Sequence, residues 1–577
     1  MGDGRSSNGP STPSLGKIDH VADLANDFGD LLDDSRSSKT SDVTFVVEKR
    51  HFRCHRVILA ARCAYFEALL YNGMRESSPN VEITVPDTTA SAFAQLLAYV
   101  YTGRIDLSSC GEQVTQDLLS LAHKYQLNSL QLSISDFLKA SLTSTNVCDV
   151  FDVATLFQLD ELRWSCLSYL DQNACDVMNS DSFVDLSASA LEELLKRVSF
   201  SAPEIEIFRG VRRWMEKNEA NVGDEGVARV ISGVRLPLIP LSDLLDEVRQ
   251  SKLVTSDCLL DAINDQEKSS LLNYRGQLVP DVNLATPLHS ARVTHGEMAE
   301  NLLNGEEADY DLERGFTCHQ ISASDSSAGI VIELGRPSLI NTIRFLLWDK
   351  DVRSYSYVVD VAVVDTAWDR IIDYSDYPCR SWQSHYFDSR VVRYIRLVGT
   401  NNTMNKVFHV VSFKCSYTTD KLPLFQLGIL VPKHNVASVE SCAAVIEGVS
   451  RLRHALIDGN VKDYDWDSGY TCHQLGNGAI VVQLAQPYII GSCGLLLWDC
   501  DDRYYSYQVE VSTDGETWTV VADRRSKQCR SWQTLTFPPI TVVFFRIIGT
   551  KNTANEVFHC VHFECPSVTN PPSANKT

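Results

Sequence analysis

The sequence predicts a multidomain α+β chain: a mixed α/β domain leads, an all-helical module follows, and two all-β domains of one kind close it. The prediction rests on three observations. Between about residues 42 and 125, strand-like alternation of apolar residues is mixed with helical spacing. From about Ser141 the alternation stops and the helical spacing continues alone. From Cys318 to His559 the chain is written twice.

In the first stretch, Val43, Phe45 and Val47 alternate on one face of a strand, and Lys49-Arg50 turns the chain into a second short strand at His51–Cys54. A helix rich in small residues (Ala60, Ala61, Cys63, Ala64, Ala68) follows and ends near Leu70. Val81, Ile83 and Val85 alternate again. Phe93, Leu96, Leu97 and Val100 share one helical face, and Gly103 is placed to stop that helix. Leu118, Leu121, Ala122 and Tyr125 repeat the spacing. In the helical module, Val147, Val150, Phe151, Ala154 and Phe157 form one stripe, and Leu162, Cys166, Tyr169 and Leu170 the next. Ser201 with Glu204 reads as a capping box for a helix carrying Ile207, Val211 and Trp214.

The duplication is dense. Cys318-His319-Gln320 returns as Cys472-His473-Gln474, an offset of 154. Leu346-Leu347-Trp348-Asp349, Tyr355-Ser356-Tyr357, Cys379-Arg380-Ser381-Trp382-Gln383 and Val407-Phe408-His409 all return at an offset of 150, so one four-residue length change suffices, between about Ser322 and Gly329. A unit of this length is a whole domain rather than a solenoid repeat. Each copy is expected to fold alone, over about 286–417 and 440–566. Two copies of one module behind an unrelated front half point to an interaction protein before an enzyme.

Composition narrows the classes. The chain has 577 residues, 44% hydrophobic and 22% charged, which describes globular material with several cores. A net charge of -22, with no Lys/Arg run longer than two, argues against nucleic acid or anionic membrane as partner. Met1–Gly16 is rich in Gly, Ser and Pro without an apolar core, so no signal peptide is expected, and no apolar run reaches the ~20 residues that span a bilayer. A cytoplasmic chain without membrane insertion is expected. Its 17 cysteines are then reduced, mostly as small buried hydrophobes.

Specific motifs carry a family resemblance. Asp42-Val43-Thr44-Phe45, Phe52-Arg53-Cys54-His55-Arg56-Val57-Ile58-Leu59-Ala60, Tyr65-Phe66 and Tyr99-Val100-Tyr101-Thr102-Gly103 resemble a BTB/POZ domain. The helical stretch is similar to the BACK domain, with Glu204–Phe208 and Val211–Met215 as landmarks. The duplicated half resembles discoidin-like (coagulation factor type C) jelly-roll sandwiches. Expected boundaries are a disordered tail at 1–17, BTB at 18–140, BACK at 141–265, a linker at 266–285, the first sandwich at 286–417, a linker at 418–440, the second sandwich at 441–566 and a disordered tail at 567–577.

The resemblance implies homodimerisation through the helical region around Ile18 to Leu32, with Val21, Leu24, Phe28 and Leu31 as interface candidates, joined by Asp42 and His55 as fold and interface residues. It also implies docking of cullin-3, as the substrate-recognition subunit of a ubiquitin ligase, beside a hydrophobic-x-Glu motif. That motif falls on Met74-Arg75-Glu76, where Met74 can fill an apolar cleft and Glu76 can set register. Asp42 and His55 could also suggest an acid/base pair; buried polar groups at such a junction need hydrogen-bond partners rather than a substrate.

In the repeats, Cys318, His319, Cys379 and His409 and their counterparts are zinc-ligand types, yet neighbours on a strand point to opposite faces and no Cys-x-x-Cys exists, so structural roles are expected. Carboxylates in Trp348–Arg353 and Trp498–Arg503 raise calcium, but each cluster includes an Arg that competes for them, and an Asp–Arg brace is expected. No metal or other cofactor is expected. Trp348, Asp349, Trp382, Trp498, Asp499 and Trp532 are candidates for holding an unknown protein substrate. An enzyme finds no support in Gly-x-Ser-x-Gly, His-Glu-x-x-His, phosphate-loop or dinucleotide motifs. A scaffold or transcriptional co-regulator acting through partners is the alternative to the ligase adaptor.

Overall fold

A computed structural model describes residues 20–567 apart from 74, 79–81, 219–221, 268–271, 323–328, 422–424, 427 and 453. The chain divides into two compact units. One runs to Lys196 and resumes over Glu204–Val234; the other joins Arg197–Pro203 to the chain from Arg235 onward.

The front domain has a three-stranded sheet of β1 (Val43–Val47), β2 (Arg50–Cys54) and β3 (Glu82–Thr84), with β1 central, antiparallel to β2 and parallel to β3. The alternation read in β1 is its burial pattern: Val43, Phe45 and Val47 are buried. Phe45 packs edge-on against Phe66 and tilts against Phe93. Helices α1 (Val21–Gly29) and α2 (Asp34–Thr40) precede the sheet. The small-residue helix divides into α3 (Arg56–Arg62) and α4 (Ala64–Tyr71), because Cys63 is extended and its thiol donates to Tyr125 O at 3.3 Å. Helix α5 (Ala90–Thr102) stops where expected, at Gly103 with φ of 68° and its N–H on Tyr99 O. Helices α6 (Glu112–Lys124) and α7 (Asn128–Ala140) complete the domain.

The following module is helical, with α8 (Val147–Leu156), α9 (Asp160–Gln172), α10 (Ala174–Met178), α11 (Ala188–Lys196), α12 (Glu204–Asn218) and α13 (Asp224–Ser232). The buried Trp214 anchors α12 through its indole N–H, which donates to Leu186 O at 2.8 Å.

The first sandwich contains β4 (Arg292–His295), β5 (Thr317–Gln320), β6 (Ile330–Leu347), β7 (Tyr355–Ala362), β8 (Asp369–Cys379), β9 (Trp382–Asn402) and β10 (Val407–Ser416), in the order β5-β10-β6-β9-β7-β8 with β4 on β6. Strands β6 and β9 are long enough to serve both layers. Their register shifts between Glu333 and Ser338 and again between Ile340 and Thr342, which marks the corner. Tyr355, Tyr357, Phe345 and Phe408 fill the space between the layers.

Strands β11 (Phe425–Gln426) and β12 (Ile429–Leu430) lie in the segment expected as the second linker; Leu430 pairs with Tyr488. The second sandwich repeats the first with β13 (Ala444–Glu447), β14 (Thr471–Gln474), β15 (Ile480–Leu497), β16 (Tyr505–Ser512), β17 (Thr519–Asp523), β18 (Trp532–Asn552) and β19 (Val557–Glu564). The four-residue length change falls in the loop between β5 and β6, against the shorter one between β14 and β15. The segment expected as the first linker also carries pairing, Gln277 with Ser338 and Gly276 N–H on Val198 O.

The two sandwiches are not separate bodies. Gln383, Gln483 and Gln486 are 0%, 2% and 1% exposed and bond across the junction. Tyr377 packs against a small cluster of the second sandwich, Ala479, Val481, Val543 and Phe544. This shared surface qualifies the expectation of two independently folding copies.

Candidate functional site

His55 and Arg56 follow β2 and end up in different networks. The buried His55 ring lies between the Tyr101 hydroxyl, 3.0 Å from Nδ1, and the Thr40 hydroxyl, 2.8 Å from Nε2; its own N–H donates to the Tyr101 hydroxyl at 2.8 Å. Asp42 Oδ1 accepts from Arg56 N at 2.8 Å, so this carboxylate caps the first turn of α3. Both candidates are thus bonded within the chain.

The Arg56 guanidinium is buried and is aimed at main-chain carbonyls. It donates to Asp42 O, Leu70 O, Glu76 O, Ser77 O and Ser78 O, at 2.7 to 3.3 Å. One side chain therefore fixes the end of α4 and the 3₁₀ turn Arg75–Ser77 that carries Glu76. Glu76 is half-buried, and the Tyr71–Gly73 segment three residues before it is exposed. Met74 lies outside the described residues. The role of Arg56 was invisible in the sequence: the usual signal for a buried Arg is a carboxylate partner, and here the acceptors are carbonyls.

On α1, Val21, Leu24 and Phe28 are 65%, 54% and 36% exposed, while Leu31 is half-buried in the 3₁₀ turn that follows. The apolar stripe is open over its first two turns.

The repeats hold paired loop architectures. Trp348 is buried and its indole donates to Asp311 O; Trp498 does the same with Asp465 O. Arg353 stacks 4.0 Å over Trp348 and forks onto Asp351; Arg503 stacks 4.2 Å over Trp498 and forks onto Asp501. These hydrogen bonds hold the Asp351 carboxyl below the usual range and that of Asp501 at about 2. Asp349 and Asp499 accept from the Tyr310 and Tyr464 hydroxyls. Trp348, Asp349, Trp498 and Asp499 thus brace their own loops.

Trp382 and Trp532 are half-buried and differ in setting. Trp382 lines a cleft of about 450 Å³ together with Arg344, Tyr386, His434 and Tyr488, under the Arg344 and Lys414 cations. Trp532 meets the ring of His562.

The zinc-type residues are spoken for locally. His319 sits between Gln320 O and the N–H of Gly399, at 2.9 Å each, and His473 repeats this with Gln474 O and Gly549 N–H. His409 and His559 bond the buried hydroxyls of Tyr355 and Tyr505. Among the described residues, no group of three or more His, Cys, Asp or Glu could hold a metal ion, and no helix is long and apolar enough to cross a membrane.

Comparison with known proteins agrees with this architecture. Family models match for the BTB/POZ domain over 32–142, for "BTB And C-terminal Kelch" over 147–249, and for the F5/8 type C domain over 440–563. These domains define a non-enzymatic BTB–BACK adaptor protein with discoidin-like sandwiches. A protein of Mus musculus, BTB/POZ domain-containing protein 9, is 54% identical over 555 residues, 96% of this chain and 89% of its own. Its namesake in Homo sapiens is 53% identical over the same shares, and that of Drosophila melanogaster 48% identical over 95% of this chain and 75% of its own. The chain belongs to the BTB/POZ domain-containing protein 9 family. Among solved structures, the CBM32 of AlyQ in complex with 4,5-unsaturated mannuronic acid is similar at 17% identity and a TM-score of 0.19, covering 21% of this chain and 92% of its own; at that score the likeness carries no functional weight.

Proposed function

We propose that this chain is a substrate-recognition subunit of a cullin-3 ubiquitin ligase, dimeric through its BTB domain, docking the cullin beside Met74 and Glu76, and holding a protein substrate with the discoidin-like pair in the cytoplasm. The observation that carries the reading is the turn at Arg75–Ser77, tied down by Arg56. A turn set before binding loses less freedom on docking, so a carboxylate on it contributes more to affinity than one on a loose loop. The test is co-precipitation of cullin-3 with the double variant Met74→Ala/Glu76→Lys. Loss of an apolar anchor and reversal of its neighbouring charge cost about 2 kcal/mol each or more, together a roughly thousandfold weaker complex. Dimer mass and melting temperature should stay nearly unchanged. Full retention of cullin-3 by the folded double variant would rule this surface out, and failure of the wild-type chain to bind would favour scaffolding without a ligase.

A further inference from the structure

The sandwiches meet head to tail. The first contributes the outer edge of β9 and the turn before it; the second contributes Gln483-Leu484-Ala485-Gln486 on β15. The Gln486 carboxamide meets Ser384 as a neighbouring peptide group would: its Oε1 accepts from Ser384 N at 2.7 Å and its Nε2 donates to Ser384 O at 3.0 Å. Ala485 O accepts from Arg380 N and from Gln383 Nε2, both at 2.9 Å. Gln483 Nε2 donates to Ser354 Oγ and Pro378 O.

The receiving edge exists twice. Arg530-Ser531-Trp532-Gln533 repeats Arg380-Ser381-Trp382-Gln383, and Thr534 stands for Ser384, whose two bonds to Gln486 both run through its main chain. The early part of β18, from Trp532 to Thr541, pairs with β15 on one side, and β16 joins only from Phe544, so the outer edge at the exposed Thr534 is open among the described residues.

An independent observation points to a missing occupant. In the first sandwich the buried Tyr357 hydroxyl bonds Gln383 Oε1 and His385 Nε2, at 2.8 Å each. Its fully buried counterpart, the Tyr507 hydroxyl, has no hydrogen-bond partner among the described residues. Leu535 replaces the histidine, and Gln533 keeps the local bond to Arg530 O that Gln383 makes to Arg380 O, but its second acceptor is Trp532 O where Gln383 has Ala485 O. An incoming carbonyl that took the place of Trp532 O on Gln533 Nε2, as Ala485 O stands on Gln383 Nε2, would free the carboxamide to turn Oε1 to the orphaned hydroxyl.

We propose that the edge Arg530–Thr534 docks an extended segment of a different protein, with two glutamines separated by two residues, the second of them small, in the manner of Gln483-Leu484-Ala485-Gln486. This rests on reading the discoidin-like pair as the substrate-holding part. A second copy of the chain does not offer the segment: its Gln483–Gln486 is engaged by its own first sandwich. The equivalent Glu333-Leu334-Gly335-Arg336 carries charges instead of carboxamides; Glu333 is held by Arg292, Arg393 and Tyr394, and a Cβ on Gly335 would lie 2.4 Å from His289 O.

The test is fluorescence polarisation of a labelled peptide spanning Ala479–Tyr488, with lysines added at its ends, against the full chain without cullin. Saturable binding is expected. It should weaken at least tenfold for a peptide with both glutamines replaced by Glu, and for the Thr534→Pro chain, which lacks the edge N–H at a position where an edge strand tolerates proline. Equal binding of the two peptides, no saturable binding, or binding unaffected in a folded Thr534→Pro chain would each overturn the proposal; should that variant not fold, the peptide pair decides. A particle mass that falls on Thr534→Pro substitution would assign the edge to self-association instead. Cullin docking plays no part in the readout, so its failure is distinguishable from failure of this proposal.

Discussion

Arg56 carries no visible partner in the sequence, yet it holds five carbonyls in place. Replacing it with Met keeps the length and apolar stem but leaves those carbonyls unpaired, a loss of about 2–3 kcal/mol for a buried charged donor. We expect Arg56→Met to lower the melting temperature and also to abolish cullin-3 co-precipitation, although Glu76 itself is untouched. Arg56→Lys, which keeps a charge without the fork, should recover part of both. A variant that melts lower yet binds cullin-3 fully would show that the turn needs no tether. The imidazoles give a second residue-scale expectation. Burial lowers His385 to about 3 and, with Arg353 and Arg503 adding to it, His409 and His559 to about 4, from 6.5. Above pH 6.5 both folded and unfolded states are neutral. As the pH falls from 6.5 toward 4 the unfolded chain takes up protons that the folded chain refuses, so stability is lost across that window, by up to about 1.4 kcal/mol per pH unit for each ring. Denaturant midpoints read from tryptophan fluorescence at pH 7 and pH 5 should differ in that direction. His385→Leu, the second copy's own choice at Leu535, should reduce the slope.

Among the elements, what was legible followed from local rules. Alternation placed β1, the left-handed position at Gly103 ended α5, and the repeat offsets located the length change between β5 and β6. The break at Cys63 was not legible, because it depends on a thiol reaching Tyr125 O from a distant part of the chain. Nor was the junction of the sandwiches: at equivalent positions Gln483 and Glu333 look like one polar substitution, and only the fold shows that the first faces Ser354 while the second is tied to arginines on its own domain. The loop tryptophans looked available for ligand because periodicity does not show that Trp348 and Trp498 turn inward to donate to a carbonyl. The junction leads to an element-scale expectation. A chain cut to about residues 286–417 exposes Tyr377 and leaves Gln383 without Ala485 O, so it should melt below the two-sandwich chain, with about 2–8 °C lost for each kcal/mol of interface removed. Gln486→Leu in the full chain should cost about 1–3 kcal/mol, because it removes the carboxamide that pairs both Ser384 N and Ser384 O. Equal melting temperatures of the cut and paired forms would mean that the junction adds nothing.

For the molecule as a whole, the open face of α1 bears on how many discoidin-like pairs one particle presents. Val21, Leu24 and Phe28 lie on one side of a short helix that buries none of its residues, and their spacing leaves an apolar strip in water. Covering it against a second copy is an isologous solution, the commonest way for such a strip to be buried. At about 1.5–3 kcal/mol per fully buried apolar side chain, these partly exposed residues from each copy supply part of the association energy, and the rest must come from the surface around them. Light scattering should therefore give twice the 64.4 kDa of one chain. Leu24→Glu/Phe28→Glu should give the single-chain mass with the melting temperature kept, since neither side chain belongs to the core. A dimer has a functional consequence: two discoidin-like pairs on one particle turn the second contact with a multivalent or surface-bound partner into an intramolecular event, raising avidity by about 10²–10⁴ where the spacing allows both to engage. The monomeric variant should then keep the one-to-one affinity for a soluble peptide and lose the slow dissociation from a dense peptide surface. Slow dissociation retained by a verified monomer would place avidity within a single chain, with both sandwiches binding at once.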